Sequence, residues 1–419
     1  MTDRLLQMGG SDAKGTPRLR LRITAAAERI LRSGHPWLFA ESILEENRTG
    51  QLGELAIIYD KNDRLLALGL FDPLSPIRVR VLQTGRAQQV DSEWWRGRLD
   101  RALERRQGLF DEYTTGYRCI HGESDGWPGL VLDRYGSTLV IKLYTAAWLP
   151  RLAEMVHLIT QRLRPENLVL RLSRNIQPIA GSQFGRSDGE MLCGAAPMGL
   201  VQFRETGLQF EADVLQGQKT GFFLDQRENR RRVEALSAGR KLLNVFCFSG
   251  AFSVYSARGG AESAADLDIS AHALAGARRN FALNRSTRSV ASCRHELVQA
   301  DAFEWLARNP KPSFDLIVLD PPSLARRQAD KAGALGAYSS LAESAVRHLR
   351  PSGILVACSC SAHVTSTEFF ETVRQAASRT RLAFQELRTT GHPPDHPATF
   401  KEGEYLKAIY LRKNVKRET

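Results

Sequence analysis

Asp320-Pro321-Pro322-Ser323 and Cys358-Ser359-Cys360-Ser361 lie about forty residues apart. Each follows an apolar run, Leu316-Ile317-Val318-Leu319 in the first case and Ile354-Leu355-Val356-Ala357 in the second. Such runs read as buried strands, and the two prolines stiffen the loop that the first strand opens onto. In an open parallel sheet, ligands bind beyond the carboxyl ends of the strands. An acid and a thiol are therefore expected to face one substrate there. Without further context, both cysteines read better as buried small residues.

The elements that would position these residues alternate from Lys241 onward. Strands are expected at 242–246, 264–268, 296–300, 314–319 and 354–358. Helices are expected at 252–257, 271–283, 302–308, 339–349 and 365–377. Strands alternating with helices at this spacing predict a doubly wound parallel sheet, an α/β fold. Residues 405–411 alternate like a last strand with one wet face. Upstream, residues 18–90 show short strands and turn signals, as in a small β-barrel. Residues 91–200 read as an α+β module with an Arg-rich helix at 93–109 and a Gly-rich turn at 122–129. Residues 1–17 read as a disordered tail, and 201–419 as the α/β domain.

Three further features fall at strand ends. The turn Ser249-Gly250-Ala251 joins the first strand of the sheet to its helix and permits close backbone approach to a ligand. It lacks the three glycines of a dinucleotide fingerprint. Asp268 stands about 20 residues past the turn, where an acid reaches a ribose hydroxyl in nucleotide sites. Asp301 ends the next strand and is equally suited to capping the helix that follows. Chance would seldom set one turn and three acids at successive strand ends.

These features resemble class I S-adenosylmethionine-dependent methyltransferases. More closely, four blocks resemble the RlmI-type family of large-subunit ribosomal RNA cytosine-C5 methyltransferases. They are residues 220–227 (Thr-Gly-Phe-Phe-Leu-Asp-Gln-Arg), the turn from Asn244 to Phe252, Asp320-Pro321-Pro322, and Ser359-Cys360-Ser361. The resemblance extends to His35-Pro36-Trp37-Leu38-Phe39 and to residues 120–130. It implies a PUA-like RNA-binding domain, an α+β middle domain and a Rossmann-like catalytic domain. It further implies S-adenosylmethionine as cofactor and Cys360 and Asp320 as catalytic residues. The implied cofactor-binding residues are Phe222, Phe223, Asp225, Gln226, Arg227, Asn244, Phe246, Ser249, Gly250, Asp268, Asp301, Asp320 and Pro321.

C5 of cytosine is a poor nucleophile. Addition of a thiolate at C6 makes C5 enamine-like, able to take an electrophilic methyl group. The motif register selects Cys360 as attacker, with Cys358 the reserve and otherwise a core thiol. Many RNA cytosine-C5 methyltransferases carry a product-releasing cysteine where this chain has Ser323, so the release step has no assigned group. Ser323 also cannot stack on a base, which argues against methylation of an adenine amino group. Phe222 and Phe223 are expected to cover the cofactor or else to pack as a core pair. Arg227 is expected to order the site with Gln226 or else to be a solvated charge, and the run Arg230-Arg231-Arg232 to form a wet helix face, with phosphate contacts as its other reading.

The chain has 419 residues and a formal net charge of +12, which favours a polyanionic partner such as RNA. Arg18, Arg20, Arg22, Arg29 and Arg32 precede His35-Pro36-Trp37 on the expected RNA-binding module, where Trp37 reads as core rather than as a base platform. Of Trp94 and Trp95, which cannot share one helix face, one is expected to be exposed or at a domain contact. Six scattered cysteines argue against a disulfide framework and for a cytoplasmic setting. No metal site is expected, with His392 and His396 read as loop residues, and no run is long enough to span a membrane. The oligomeric state is left open, a homodimer being one arrangement. Two rival functions are a methyltransferase acting on another RNA position or atom, and a non-catalytic RNA-binding protein on the same fold.

Overall fold

The computed structural model describes residues 18–86, 88–308, 310–325 and 327–414. The tail expected at 1–17 lies outside them. The chain forms two compact units. One comprises Met1–Leu109, Tyr117–Gly199 and Asp213–Gly221, the other Phe110–Gly116, Leu200–Ala212 and Phe222–Thr419.

The first unit opens with β1 (Leu19–Ile23), α1 (Ala25–Arg32), β2 (Trp37–Phe39), β3 (Ile43–Glu46), β4 (Leu55–Tyr59), β5 (Leu65–Phe71) and β6 (Ile77–Thr84). These strands make one sheet in the order β2-β6-β5-β4-β1-β3. In β1, Leu19, Leu21 and Ile23 are buried while Arg20 and Arg22 face solvent, the alternation of a strand with one covered face. Arg18, Arg29 and Arg32 are exposed as well. Trp37 is half-buried, and its indole N–H donates to Glu123 at 2.8 Å.

There follow α2 (Ser92–Glu104), β7 (Gly116–His121), β8 (Leu130–Tyr135), β9 (Thr138–Leu143), α3 (Leu152–Leu163), β10 (Asn167–Leu172), α4 (Gln177–Phe184) and β11 (Glu190–Cys193). Their sheet order is β11-β10-β9-β8-β7. Trp95, Trp127 and Trp148 are fully buried together in its core. Trp94 stays half-buried, edge-on to Trp95 at 4.7 Å.

The second unit holds the hairpin β12 (Val201–Glu205) and β13 (Leu208–Ala212), then α5 (Arg227–Ala235). Its main sheet is built from β14 (Lys241–Val245), α6 (Ala251–Arg258), β15 (Ser263–Asp268), α7 (Ala271–Leu283), α8 (Arg288–Ser292), β16 (Arg294–Gln299), α9 (Ala302–Ala307), β17 (Phe314–Leu319), α10 (Lys331–Arg347), β18 (Leu349–Ser359), α11 (Ser366–Arg379), β19 (Phe384–Thr390) and β20 (Lys407–Lys413). The strand order is β16-β15-β14-β17-β18-β20-β19, and β20 alone runs antiparallel to its neighbours. The order reverses between β14 and β17, which makes that point the crevice of the sheet. Leu243, Val245, Ile317, Leu319 and Leu355 pack there against Leu341, Val346 and Phe369 of α10 and α11.

Two expectations change. The helix expected to start at 339 starts at Lys331, and its first turns carry Gly333 and Gly336, whose poor helix propensity masks them in the sequence. The last strand has no wet face: β20 lies between β18 and β19, and six of its seven residues are buried. Its alternation of polar and apolar types therefore brings Lys407 into the interior.

Candidate active site

The turn between β14 and α6 is wound unusually tightly. Phe246 (φ 61°) and Phe248 (φ 48°) are left-handed although neither is glycine, and Gly250 (φ 68°) follows. Such strain in non-glycine residues persists where surrounding structure holds it, commonly at functional sites. Here the Asp268 carboxylate holds the Phe248 N–H at 3.0 Å and the Ser270 N–H at 2.9 Å. Asp268 is thus not the cap of α7, a role taken by Ser270. Below the turn, Asn244 donates to Asp266 at 2.8 Å, Ser253 donates to the same oxygen at 2.6 Å, and His295 meets the other at 2.8 Å. This buried network under the turn was not anticipated, although Asp266 shares a strand face with Asp268.

Gly250 has a reason of its own. A Cβ there would lie 2.6 Å from the Ala277 Cβ and 2.8 Å from an Asp266 oxygen, at a backbone angle that side chains avoid. Gly250→Ala is expected to cost about 2 kcal/mol or more. Gly276→Ala, whose Cβ would meet nothing closer than 3.8 Å, is expected to raise stability by up to about 1 kcal/mol. Thermal unfolding of both variants checks the pair, and equal melting temperatures would refute the close-approach argument.

Residues before α5 close in from the side. Phe222 is buried against Phe203 at 5.0 Å and Phe210 at 5.2 Å, with the Arg230 guanidinium 4.9 Å from its ring centre, so it packs in the hairpin core. Phe223 is half-buried and meets Phe248 edge-on at 4.9 Å. Asp225 accepts from the Tyr405 hydroxyl at 2.9 Å. Gln226 donates to Asp320 at 2.9 Å, and its carbonyl accepts from Asn229 at 2.7 Å. The basic run is not a wet face. Arg227 is buried on Asp395 (2.7 and 3.2 Å) and Arg230 on Glu205 (2.8 Å, twice). Burial opposes charge on Arg227, but Asp395 outweighs it and keeps the guanidinium firmly protonated. Only Arg231 and its neighbour Arg232 keep the expected partial exposure.

At the acid and the thiols, β17 and β18 are adjacent and parallel with Leu319 opposite Ala357, so Asp320 leaves the sheet level with Cys358, and Cys360 lies further along the same strand end. The Cys360 sulfur lies 4.0 Å from the carbonyl oxygen of Pro321 and is half-exposed. Cys358 is buried, and burial first, then the Asp320 charge, push its thiol well above the ordinary range. It stays protonated and inert. The serines flanking Cys360 point inward. Tyr338 of α10 sits between them, 2.9 Å from each hydroxyl. The Ser361 hydroxyl also accepts from the Leu324 and Ala325 N–H groups at 3.1 and 3.3 Å, and meets Ser323 at 3.3 Å. That hub ties the loop after Asp320 to the strand end that bears Cys360. Asp301 caps α9 through the Glu304 N–H at 3.0 Å, while Phe246 meets Phe303 edge-on at 6.4 Å. Ser249 offers its carbonyl to Asn280 at 2.9 Å.

The donor set suits an adenosyl cofactor. The first turn of α6 has no capping side chain, so its N–H donors remain open to a ligand. Carboxylates at the ends of β15, β16 and β17 match hydroxyl and amino donors.

The profile of the S-adenosylmethionine-dependent methyltransferases matches residues 179–412, and that of the PUA-like domain residues 21–84. A ribosomal RNA large subunit methyltransferase of Deinococcus radiodurans is 54% identical over 407 residues, covering 96% of this chain and 98% of that one. The chain belongs to the ribosomal RNA large subunit methyltransferase family. A second relative in Shewanella denitrificans, ribosomal RNA large subunit methyltransferase I, is 34% identical and covers 94% of this chain and 99% of its own. A SAM-dependent methyltransferase from Streptococcus mutans has the same fold, with a TM-score of 0.78 at 21% identity over 94% of this chain and 99% of that one. The methyltransferase uses S-adenosylmethionine, as its family does. No helix among its described residues is long and apolar enough to cross a membrane.

Proposed function

We propose that this methyltransferase acts on large-subunit ribosomal RNA, methylating C5 of a cytidine through a covalent adduct with Cys360. The observation that carries this reading is the 4.0 Å approach of the Cys360 sulfur to the Pro321 carbonyl, beside Asp320, while Cys358 is sealed in the core. The names of the relatives and the +12 net charge support an RNA substrate. The PUA-like module, with Arg20 and Arg22 exposed, supplies phosphate contacts. A cytoplasmic setting agrees with that substrate.

S-adenosylmethionine, when bound, supplies a methyl group on a positively charged sulfur. The turn from Phe246 to Gly250, with Asp268 and Asp301, would hold its adenosyl part, while Asn244 supports that turn from below through Asp266. Phe223, Asp225, Gln226 and Arg227 order the wall beside it, Arg227 through its lock on Asp395. Asp320 and Pro321 stand between that wall and the thiol. The target base leaves its stack to enter. The Cys360 thiolate forms a bond to C6, and the C5–C6 electron pair shifts so that C5 can take the methyl. Loss of the C5 proton to water then restores the double bond and expels the thiolate. Asp320 hydrogen-bonds the pyrimidine edge. Ser323, committed to Ser361 and to the Ala325 carbonyl at 3.2 Å, takes no part in that release.

Ribosomal RNA from cells with and without the protein, digested to nucleosides and weighed by mass spectrometry, tests the product. A 5-methylcytidine that disappears with the gene supports the reading, and a different lost nucleoside ends it.

A further inference from the structure

Lys407 is 1% exposed and stands opposite Ser359 in the β18–β20 ladder, one residue before Cys360. Its ammonium donates to the carbonyl of Ser361 at 2.7 Å and to that of Val364. An ammonium has three N–H donors, and no carboxylate among the described residues pairs with this one. Burying an ammonium without a counter-ion costs several kcal/mol, which makes this lysine a candidate for a role beyond packing.

Lys407 faces one chain neighbour of Cys360 and grips the other, which makes that thiol the anion placed to meet it. Burial lowers Lys407 to about 8, and the negative charges that act against this are Cys360, then Glu368 and Glu404. Glu368 is already answered by Lys331 and by the Thr365 hydroxyl and N–H, and Glu404 is exposed. Around Cys360, Tyr338 and Cys358 are both pushed up by burial and stay neutral. Asp320, one residue before the carbonyl that the sulfur touches, is the negative charge on that side. Lys407 brings the opposite charge, and the two carbonyls it grips lie on the segment that carries the sulfur.

We propose that Lys407 is a positioning residue that holds Cys360 as a thiolate at neutral pH, its ammonium being the counter-ion and its grip on the Ser361 and Val364 carbonyls setting the sulfur's place. The thiol proton goes to water, leaving ammonium and thiolate both charged. The inference rests on reading Cys360 as the nucleophile, but its test does not need turnover.

The full-length protein, without RNA or cofactor, is alkylated with iodoacetamide between about pH 5 and pH 10, and the Cys360 peptide is quantified by mass spectrometry. Wild-type Cys360 is expected to titrate near or below about pH 7. In K407M the titration should rise by at least about one unit, slowing alkylation near neutrality about ten-fold, while K407R keeps most of the reactivity. An unchanged profile in K407M, with an unchanged melting temperature, overturns the proposal. Should K407M fail to fold, a wild-type Cys360 that titrates at or above the ordinary value of about 8.5 overturns it alone. A low, Lys407-dependent titration without any adduct on 5-fluorocytidine RNA supports the ion pair and defeats the nucleophile assignment.

Discussion

Cys360→Ala is expected to abolish methyl transfer, by about 10^4-fold or more, the scale on which enzymes lose rate when a covalent nucleophile is removed. Cys358→Ala should retain most of the turnover. The two thiols are two residues apart on one strand end, yet their surroundings differ. Cys358 is sealed beside Asp320 with its pKa driven up, while Cys360 is half-exposed at the mouth of the loop. Removing Cys358 leaves a small cavity and a stability loss of about 1–2 kcal/mol, nothing chemical. The check has two parts. RNA containing 5-fluorocytidine cannot lose a C5 proton after methylation, so wild type and Cys358→Ala should both accumulate a denaturation-resistant RNA adduct. Cys360→Ala should form none. Full transfer by Cys360→Ala would defeat the covalent mechanism, and an adduct lost only in Cys358→Ala would move the nucleophile to the other thiol.

The second large effect is on stability. Glu205→Ala should destabilise the protein by about 3–5 kcal/mol, because it leaves the Arg230 guanidinium buried without its carboxylate. Arg230 is 2% and Glu205 0% exposed, joined by two 2.8 Å bonds, and the Tyr255 hydroxyl donates to Glu205 at 2.9 Å. Burial works against charge on Arg230, and Glu205 more than offsets it. Replacing both, as Glu205→Leu with Arg230→Met, removes the two charges together and should recover most of the loss. Urea unfolding midpoints of the two variants settle the point. A Glu205→Ala protein within about 1 kcal/mol of wild type would mean that the pair carries little. Arg230 also donates to the Phe223 carbonyl at 2.9 Å, so S-adenosylmethionine binding by calorimetry should weaken in the double variant, which lacks that donor even where stability is recovered.

Much of the catalytic unit was legible because its signals are local. The apolar runs ending at Leu319 and Ala357 are strands β17 and β18, and the stiff Pro-Pro loop follows where expected. The turn at Ser249-Gly250 joins strand to helix as read. What could not be read depends on distant pairing. Arg227 and Asp395 are 168 positions apart, and nothing near either says that they meet. Arg230 looked like one charge in a wet run until the hairpin supplied Glu205. The alternation in residues 405–411 is a true signal for a strand, but it cannot tell an edge from an interior position. That difference decides whether Lys407 is a solvated lysine or a buried one. Tyr338, and the part Ser361 plays beyond its place in the Ser-Cys-Ser motif, are not legible for the same reason: a hydroxyl hub is made by tertiary proximity.

The Ser361 hub has a kinetic consequence. The loop after Asp320 and the strand end with Cys360 share one hydroxyl, itself clamped by Tyr338 of α10, so neither half of the site can drift without the other. On the proposed mechanism, acid and sulfur are therefore held relative to each other before any substrate arrives, and the entropy of bringing them together is already spent during folding. The reorganisation that remains belongs to the RNA. The rate should then follow how readily the target nucleotide unstacks: a loosened or mismatched neighbourhood in the RNA speeds turnover, whereas a change in solvent viscosity that slows protein loops leaves it nearly alone.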